Sequence, residues 1–232
     1  QAVILAAGIG ERLGDITQNI PKPMIRINGK PILEHNIMLC KNNGIDEILI
    51  NLHHLPLIIK NYFGNGEKWG VKIDYRYEPK LLGTAGTIRN FQDVLVAPFF
   101  VIYGDNYYNY DTDLNAIRKF HEKNNSEFTL GLCEVEDVSQ SGYVEQKNDN
   151  RITFFIEKPA FNEVKSGWVN AGIYFSEPKI LKKIKNGNTD FGRDIIPLLI
   201  NSSYNVFGFK LNHKVIAIDT PSLFEKQLSE EK

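Results

Sequence analysis

The sequence predicts one α/β domain built on a mixed, mostly parallel sheet. Three observations carry this. Through the first half of the chain, short apolar runs alternate with helix-length amphipathic segments. The second half is rich in strand-length runs of β-branched and aromatic residues. No repeat and no low-complexity linker interrupts either half of the 232 residues.

The elements follow in order. Residues 2–5 form a buried strand, because Ala2-Val3-Ile4-Leu5 is apolar throughout. Residues 31–43 form a helix, opened by Pro31 and stopped by Gly44. A strand at 47–52, a short helix at 56–63 ending near Gly64 and an alternating strand at 71–75 come next. A short helix at 85–91 leads to a buried strand at 99–103. Leu114, Ile117 and Phe120 share one face of a helix at 113–124. Strands are expected at 128–135, 143–146, 152–156 and 169–175, then helices at 178–185 and 193–200. Strands at 206–211 and 214–218 and a helix at 222–229 close the pattern. In such a sheet, ligands bind beyond the carboxyl ends of the parallel strands.

Composition narrows the function. The chain is 42% hydrophobic and 24% charged, which excludes a disordered or collagen-like chain. No apolar run approaches the about 20 residues a membrane helix needs. Net charge is -1, so no basic field draws the chain to nucleic acid or to anionic lipid. Neither is expected as a partner, and an anionic ligand must be held by a few placed groups. Cys40 and Cys133 have no zinc or disulfide spacing and read as buried free thiols. The start lacks a basic segment, and its apolar run is too short for a signal peptide. The expected location is cytoplasmic.

The chemistry begins at Leu5-Ala6-Ala7-Gly8-Ile9-Gly10-Glu11-Arg12-Leu13. A strand runs into small residues whose backbone N–H groups can approach phosphate oxygens. Arg12 adds a planar charged fork for the same oxygens. A dinucleotide fingerprint would need a third glycine where Leu13 stands, and a Walker loop would need Gly-Lys-Ser/Thr. Pro21-Lys22-Pro23 then holds a lysine between two stiff residues, in backbone expected to be extended. Arg12 and Lys22 are both expected to be exposed.

In this order the motifs resemble the sugar-1-phosphate nucleotidyltransferases, and the resemblance runs down the whole chain. Gly8-Ile9-Gly10-Glu11-Arg12-Leu13 and Pro21-Lys22-Pro23 match the family's opening signature. Leu82-Gly83-Thr84-Ala85-Gly86 is similar to its base-binding loop, and Gly104-Asp105 to its metal-binding step. Phe155-Ile156-Glu157-Lys158-Pro159 and Val169-Asn170-Ala171-Gly172-Ile173-Tyr174 are similar to its two sugar-phosphate segments.

The resemblance implies a single Rossmann-like, GT-A-like domain over 1–232. Residues 1–125 would form a nucleotide-binding half and 126–232 a sugar-phosphate-binding half. It implies Mg²⁺-dependent synthesis of a nucleotide sugar and pyrophosphate from a nucleoside triphosphate and a sugar 1-phosphate. Arg12, Lys22 and Lys158 would be catalytic. Leu5, Ala6, Ala7, Gly8, Gly10, Glu11, Arg12, Lys22, Gly83, Thr84, Ala85, Gly86 and Gly104 would line the nucleotide, the loop at 83–86 through its main chain. Gly142, Glu157, Lys158 and Asn170 would hold the sugar phosphate. Asp105 and Asp219 would hold Mg²⁺, although Ala217 stands where the family usually carries Trp, and Thr220-Pro221 follows without a glycine. GTP is slightly preferred over UTP, dTTP and CTP, and such domains often pair as homo-oligomers.

Other features compete. Asp111-Thr112-Asp113 has the form used by metal-dependent glycosyltransferases, but it precedes a predicted helix and reads as its cap. A non-catalytic nucleotide-sugar sensor would have lost its charged residues, whereas Arg12, Lys22, Asp105 and Lys158 are all present. His53-His54 are adjacent on a strand end and point to opposite faces. Tyr107, Tyr108 and Tyr110 read as packing residues.

Overall fold

A computed structural model describes residues 1–160 and 166–218. β1 (Ala2–Leu5) is the apolar run at the start. A 3-10 run (Glu11–Thr17) and one tight turn (Lys22–Met24) follow, then the hairpin of β2 (Arg26–Ile27) and β3 (Lys30–Pro31). α1 (Ile32–Asn42) starts behind Pro31, and Gly44 leaves it with φ 75°. β4 (Glu47–Leu52), α2 (Pro56–Phe63) and β5 (Lys72–Tyr77) come next. α3 (Gly83–Asn90) starts two residues before its expected place. β6 (Phe99–Tyr103) and β7 (Asn106–Tyr107) flank Gly104-Asp105. α4 (Leu114–Lys123) is capped by Asp113, whose carboxylate accepts the Ala116 N–H at 2.9 Å. β8 (Phe128–Val135), β9 (Gly142–Gln146), β10 (Ile152–Glu157), β11 (Gly167–Ser176), α5 (Ile196–Asn201), β12 (Val206–Lys210) and β13 (Ile216–Ala217) complete the order.

The sheet is mixed and mostly parallel, with helices between its strands, as the alternating pattern predicts. The described chain forms two compact units. One comprises Gln1–Leu81, Ile102–Asp111 and, of the described residues, 215–218. In it β1, β4 and β5 run parallel, with Val3 opposite Leu49 and Ile48 opposite Ile73. A small core of Leu13, Ile25, Ile27, Ile32 and Ile218 anchors the glycine loop and the Pro-Lys-Pro turn from below. The other unit comprises Leu82–Val101 and Thr112–Lys214. There β8 pairs antiparallel with β11 and parallel with β12, while β9 joins β10 and β11. Its core is aromatic: Phe128, Tyr174 and Phe191 pack with ring centroids 4.9–5.5 Å apart.

Three elements differ from expectation. The helix expected at 178–185 is a 3-10 run (Pro178–Lys183). The helix expected at 193–200 is split into a π-helical turn (Phe191–Ile195) and α5. Pro197 explains the split, because it has no N–H and its ring would strike the carbonyl four residues back. The strand expected at 214–218 shrinks to the two residues of β13, which pair with β7. The helix expected at 222–229 lies outside the described residues. Both cysteines are buried, as expected, and burial pushes the Cys40 thiol up to about 12. Among the described residues no helix is long and apolar enough to cross a membrane.

Candidate active site

In the first unit, β1 ends and the chain turns through the glycine loop. Gly10 sits at φ 74°, where a side chain is strained, and a Cβ there would lie 2.8 Å from the Thr17 methyl. The Thr17 hydroxyl donates to Gly10 O at 3.0 Å, and the Leu13 N–H donates to the same oxygen at 2.9 Å. The curl of the loop is thus set from inside. Gly8 differs, since a Cβ there would meet nothing within 4 Å among the described residues. Packing does not call for a glycine at that position. The Ala6 N–H is already engaged, donating to Asn51 Oδ1 at 2.7 Å. Asn51 in turn donates to Glu78 at 3.0 Å.

Ile9, Gly10, Glu11, Arg12, Lys22 and Leu81 line a pocket of about 460 Å³. Arg12 is exposed on it, as expected. Lys22 is not: it is 5% exposed, and its ammonium lies 2.5 Å from Asp105 Oδ2. The expectation of extended backbone also holds only for Pro21. From Lys22 the chain closes a tight turn, with the Met24 N–H on Pro21 O at 2.7 Å. That turn carries the lysine inward, and an ammonium so buried needs a charged partner.

Asp105 follows β6 through Gly104. A Cβ on Gly104 would lie 2.6 Å from Leu5 O, so only glycine lets the Asp105 step lie against the end of β1. The amide of Asn36, on α1, donates to Tyr103 O at 3.3 Å and to Asn106 O at 3.0 Å, bracketing the step. Asp105 suits Mg²⁺, which prefers one or two carboxylates together with phosphate oxygens and water. Its side chain is 28% exposed, so it remains open to a ligand. Asp219 lies outside the described residues. Among the described residues no group of three or more His, Cys, Asp or Glu is placed to hold a metal.

In the second unit, residues 82–86 form the cap and first turn of α3. The Ala85 and Gly86 N–H groups donate to Thr189 O at 2.9 and 3.0 Å. These two amides are therefore engaged within the unit and are not turned out as donors for a base. The Thr84 hydroxyl donates to Asp190 Oδ2 at 2.8 Å. Glu157 ends β10, and a Cβ on Gly142 would run into the Phe155 ring and the Glu157 carboxylate. Burial holds the Glu157 pKa above the usual carboxylate range, and the charge of Asp190 adds to this. Lys158 and Arg193 oppose that shift.

Lys158 is exposed and adopts φ 52° immediately before Pro159. The residue before a proline is normally extended, and a non-glycine residue in the left-handed region carries strain. Its N–H donates to Ser141 O at 3.0 Å. Asn170 braces an irregularity in β11: its amide donates to the Tyr174 hydroxyl at 2.6 Å, and its oxygen accepts the Gly172 N–H.

The competing features resolve as structure. His53 and His54 bond to two separate carbonyls, Glu78 O and Thr17 O, so they do not form a metal pair. Asp113 caps α4. Tyr108 is buried, and the Tyr107 and Tyr110 rings pack on His35. The sequence reading missed Asn36, Asn51, Glu78, Asp190 and Gly192. A polar residue closing an apolar strand was the available signal for Asn51, and a cap before a helix for Asp190.

Comparison with known proteins agrees with these motifs. The family model described as "Nucleotidyl transferase" matches residues 1–214. A Synechocystis protein named UTP–glucose-1-phosphate uridylyltransferase is 35% identical over 235 residues, which cover 94% of this chain and 60% of the relative. An Emericella nidulans mannose-1-phosphate guanyltransferase is 29% identical over 222 residues, 90% of this chain and 59% of that protein. The chain thus spans about 60% of the length of the curated relatives it matches. The crystal structure of HddC from Yersinia pseudotuberculosis covers 100% of this chain and 99% of its own, with TM-score 0.81 and 28% identity. The same protein solved with GMP-PN gives TM-score 0.80. On the family-model match over residues 1–214, this chain belongs to the nucleotidyl transferase family.

Proposed function

We propose that this chain transfers a nucleotidyl group from a nucleoside triphosphate to a sugar 1-phosphate. The observation that carries the reading is the buried Lys22 ammonium, held on Asp105 beside the pocket of Gly10 and Arg12. A phosphate oxygen of the sugar 1-phosphate attacks the α-phosphorus, the bond to pyrophosphate breaks, and a nucleotide sugar forms. The nucleophile is already an anion, so no general base is needed. The barrier is the approach of two anions, and fixed positive charge and alignment lower it.

Lys22 binds the α-phosphate and Arg12 the departing pyrophosphate. Lys158 holds the attacking phosphate on a strained, preset backbone. Residues 5–12 and 83–86 take the nucleotide, and Gly142, Glu157 and Asn170 take the sugar. Gly8 supports the phosphate role of its loop, because nothing among the described residues occupies the space its side chain would fill. Mg²⁺, held by Asp105 and Asp219, would supply charge neutralisation at the phosphates. The nucleotide-binding role falls to residues 1–125 and the sugar-phosphate role to 126–232.

GTP is the favoured nucleotide, on the guanyltransferase relatives and on HddC, which was solved with GMP-PN. UTP is the second reading, on the Synechocystis relative. The test is pyrophosphate release with Mg²⁺, each nucleoside triphosphate and a panel of sugar 1-phosphates. Release that needs both substrates establishes the reaction and names the pair. Release with no pair overturns it.

A further inference from the structure

Residues 187–192 join two segments of the second unit. On one side they grip residues 82–86. Thr189 N–H donates to Leu82 O at 2.8 Å, and Thr189 O takes the Ala85 and Gly86 amides. A Cβ on Gly83 would lie 2.5 Å from Thr189 O, and one on Gly86 would run into Gly187 O. The Thr84 hydroxyl gives its hydrogen to Asp190 Oδ2 and accepts the Phe191 N–H, both at 2.8 Å. It is built into this turn, not presented to a ligand. On the other side the same segment meets Glu157. A Cβ on Gly192 would run into Glu157 Oε2 and lie 3.4 Å from Asp190 Oδ1. Two carboxylates therefore flank one glycine that must have no side chain.

The geometry assigns Asp190 as a positioning residue that ties nucleotide segment 82–86 to the sugar-binding carboxylate Glu157. The assignment of those two segments rests on the proposed function. Asp190 acts through other groups. Oδ2 holds Thr84, and Oδ1 accepts the Arg193 N–H at 3.1 Å as the cap of the turn at Phe191–Ile195. Its charge opposes ionisation of Glu157. The other charged groups that act on Glu157 are Arg193, on the same turn, and the adjacent Lys158. A sugar hydroxyl donates best to the ionised Glu157, so the protonation of this one carboxylate sets sugar affinity.

Asp190→Asn separates the two duties. Asparagine carries no charge; with its amide oxygen on the Arg193 N–H as cap, its NH2 faces the Thr84 hydroxyl oxygen and keeps that tie as a donor. Asp190→Ala is expected to raise KM for the nucleotide about tenfold, the loss of one charge-assisted hydrogen bond. Asp190→Asn should restore the nucleotide KM to within about twofold. It should also move the rise of sugar 1-phosphate KM on acidification to lower pH, because Glu157 then ionises more easily. Thr84→Val combined with Asp190→Ala should be no worse for the nucleotide KM than the worse single change. An unchanged nucleotide KM in Asp190→Ala, failed rescue by Asn, or additive effects in the double variant overturn the assignment.

If the wild-type chain turns over no substrate pair, the proposed function falls. Carboxyl NMR titration of Glu157, assigned with Glu157→Gln, then decides the coupling. A lower midpoint in Asp190→Asn supports it, and an unmoved midpoint overturns it.

Discussion

Arg12 and Lys22 are both legible in the sequence as cations expected to meet phosphate, yet only Arg12 is exposed. The difference is measurable. Arg12→Ala removes an exposed side chain and should leave Tm within about 2 °C while lowering kcat/KM at least about a hundredfold. Near-normal turnover would remove Arg12 from the mechanism. Lys22→Ala leaves Asp105 without its partner and should cost about 2 kcal/mol, roughly 4–8 °C in Tm for a chain of this size. Equal melting of the two variants would contradict the buried ion pair.

Glu157 offers a pH test at the same scale. Its native pKa is raised, chiefly by burial, so the folded chain holds the proton more tightly than the unfolded chain. Ionising it opposes folding, and stability falls as pH rises from the unfolded value through the native one. Glu157→Gln should therefore raise Tm at pH 7 and lose that advantage below the ordinary carboxylate range. Melting curves at the two pH values check the sign, and a loss of Tm at pH 7 would refute it.

At the scale of the element, periodicity and capping identified most helices and strands, because those signals are local. α4 shows this: Leu114, Ile117 and the Asp113 cap are all adjacent in sequence. Asp113→Ala should cost about 1 kcal/mol in a denaturant titration and leave pyrophosphate release intact at 25 °C. Loss of release with no loss of stability would revive a metal-binding role for Asp111 and Asp113. The apolar spacing of 193–200 predicts one helix, and Pro197 divides it. The backbone resolves the conflict by widening one turn before the proline.

At the scale of the molecule, each compact unit encloses one cysteine: Cys40 in the first and Cys133 in the second. Both thiols are buried, so neither should react with iodoacetamide in the native state. Both should label in denaturant, and mass spectrometry after a timed pulse reads each site separately. Rapid labelling of the native chain would show that one of these cores is not closed.

The sequence by itself determined the alternation of strands and helices, the buried strand ends and the ordered motifs that identify the family. Each of these is written in neighbouring residues or in fixed spacings. Tertiary structure alone decided that Lys22 turns inward onto Asp105, 83 positions away. It alone decided that Thr84 bonds to Asp190, 106 positions away, and that Gly142 and Gly192 make room for one carboxylate. The reason is physical. A buried charge takes its partner from whatever the fold brings within about 3 Å, and a glycine's role depends on the atoms facing it, neither of which local spacing records.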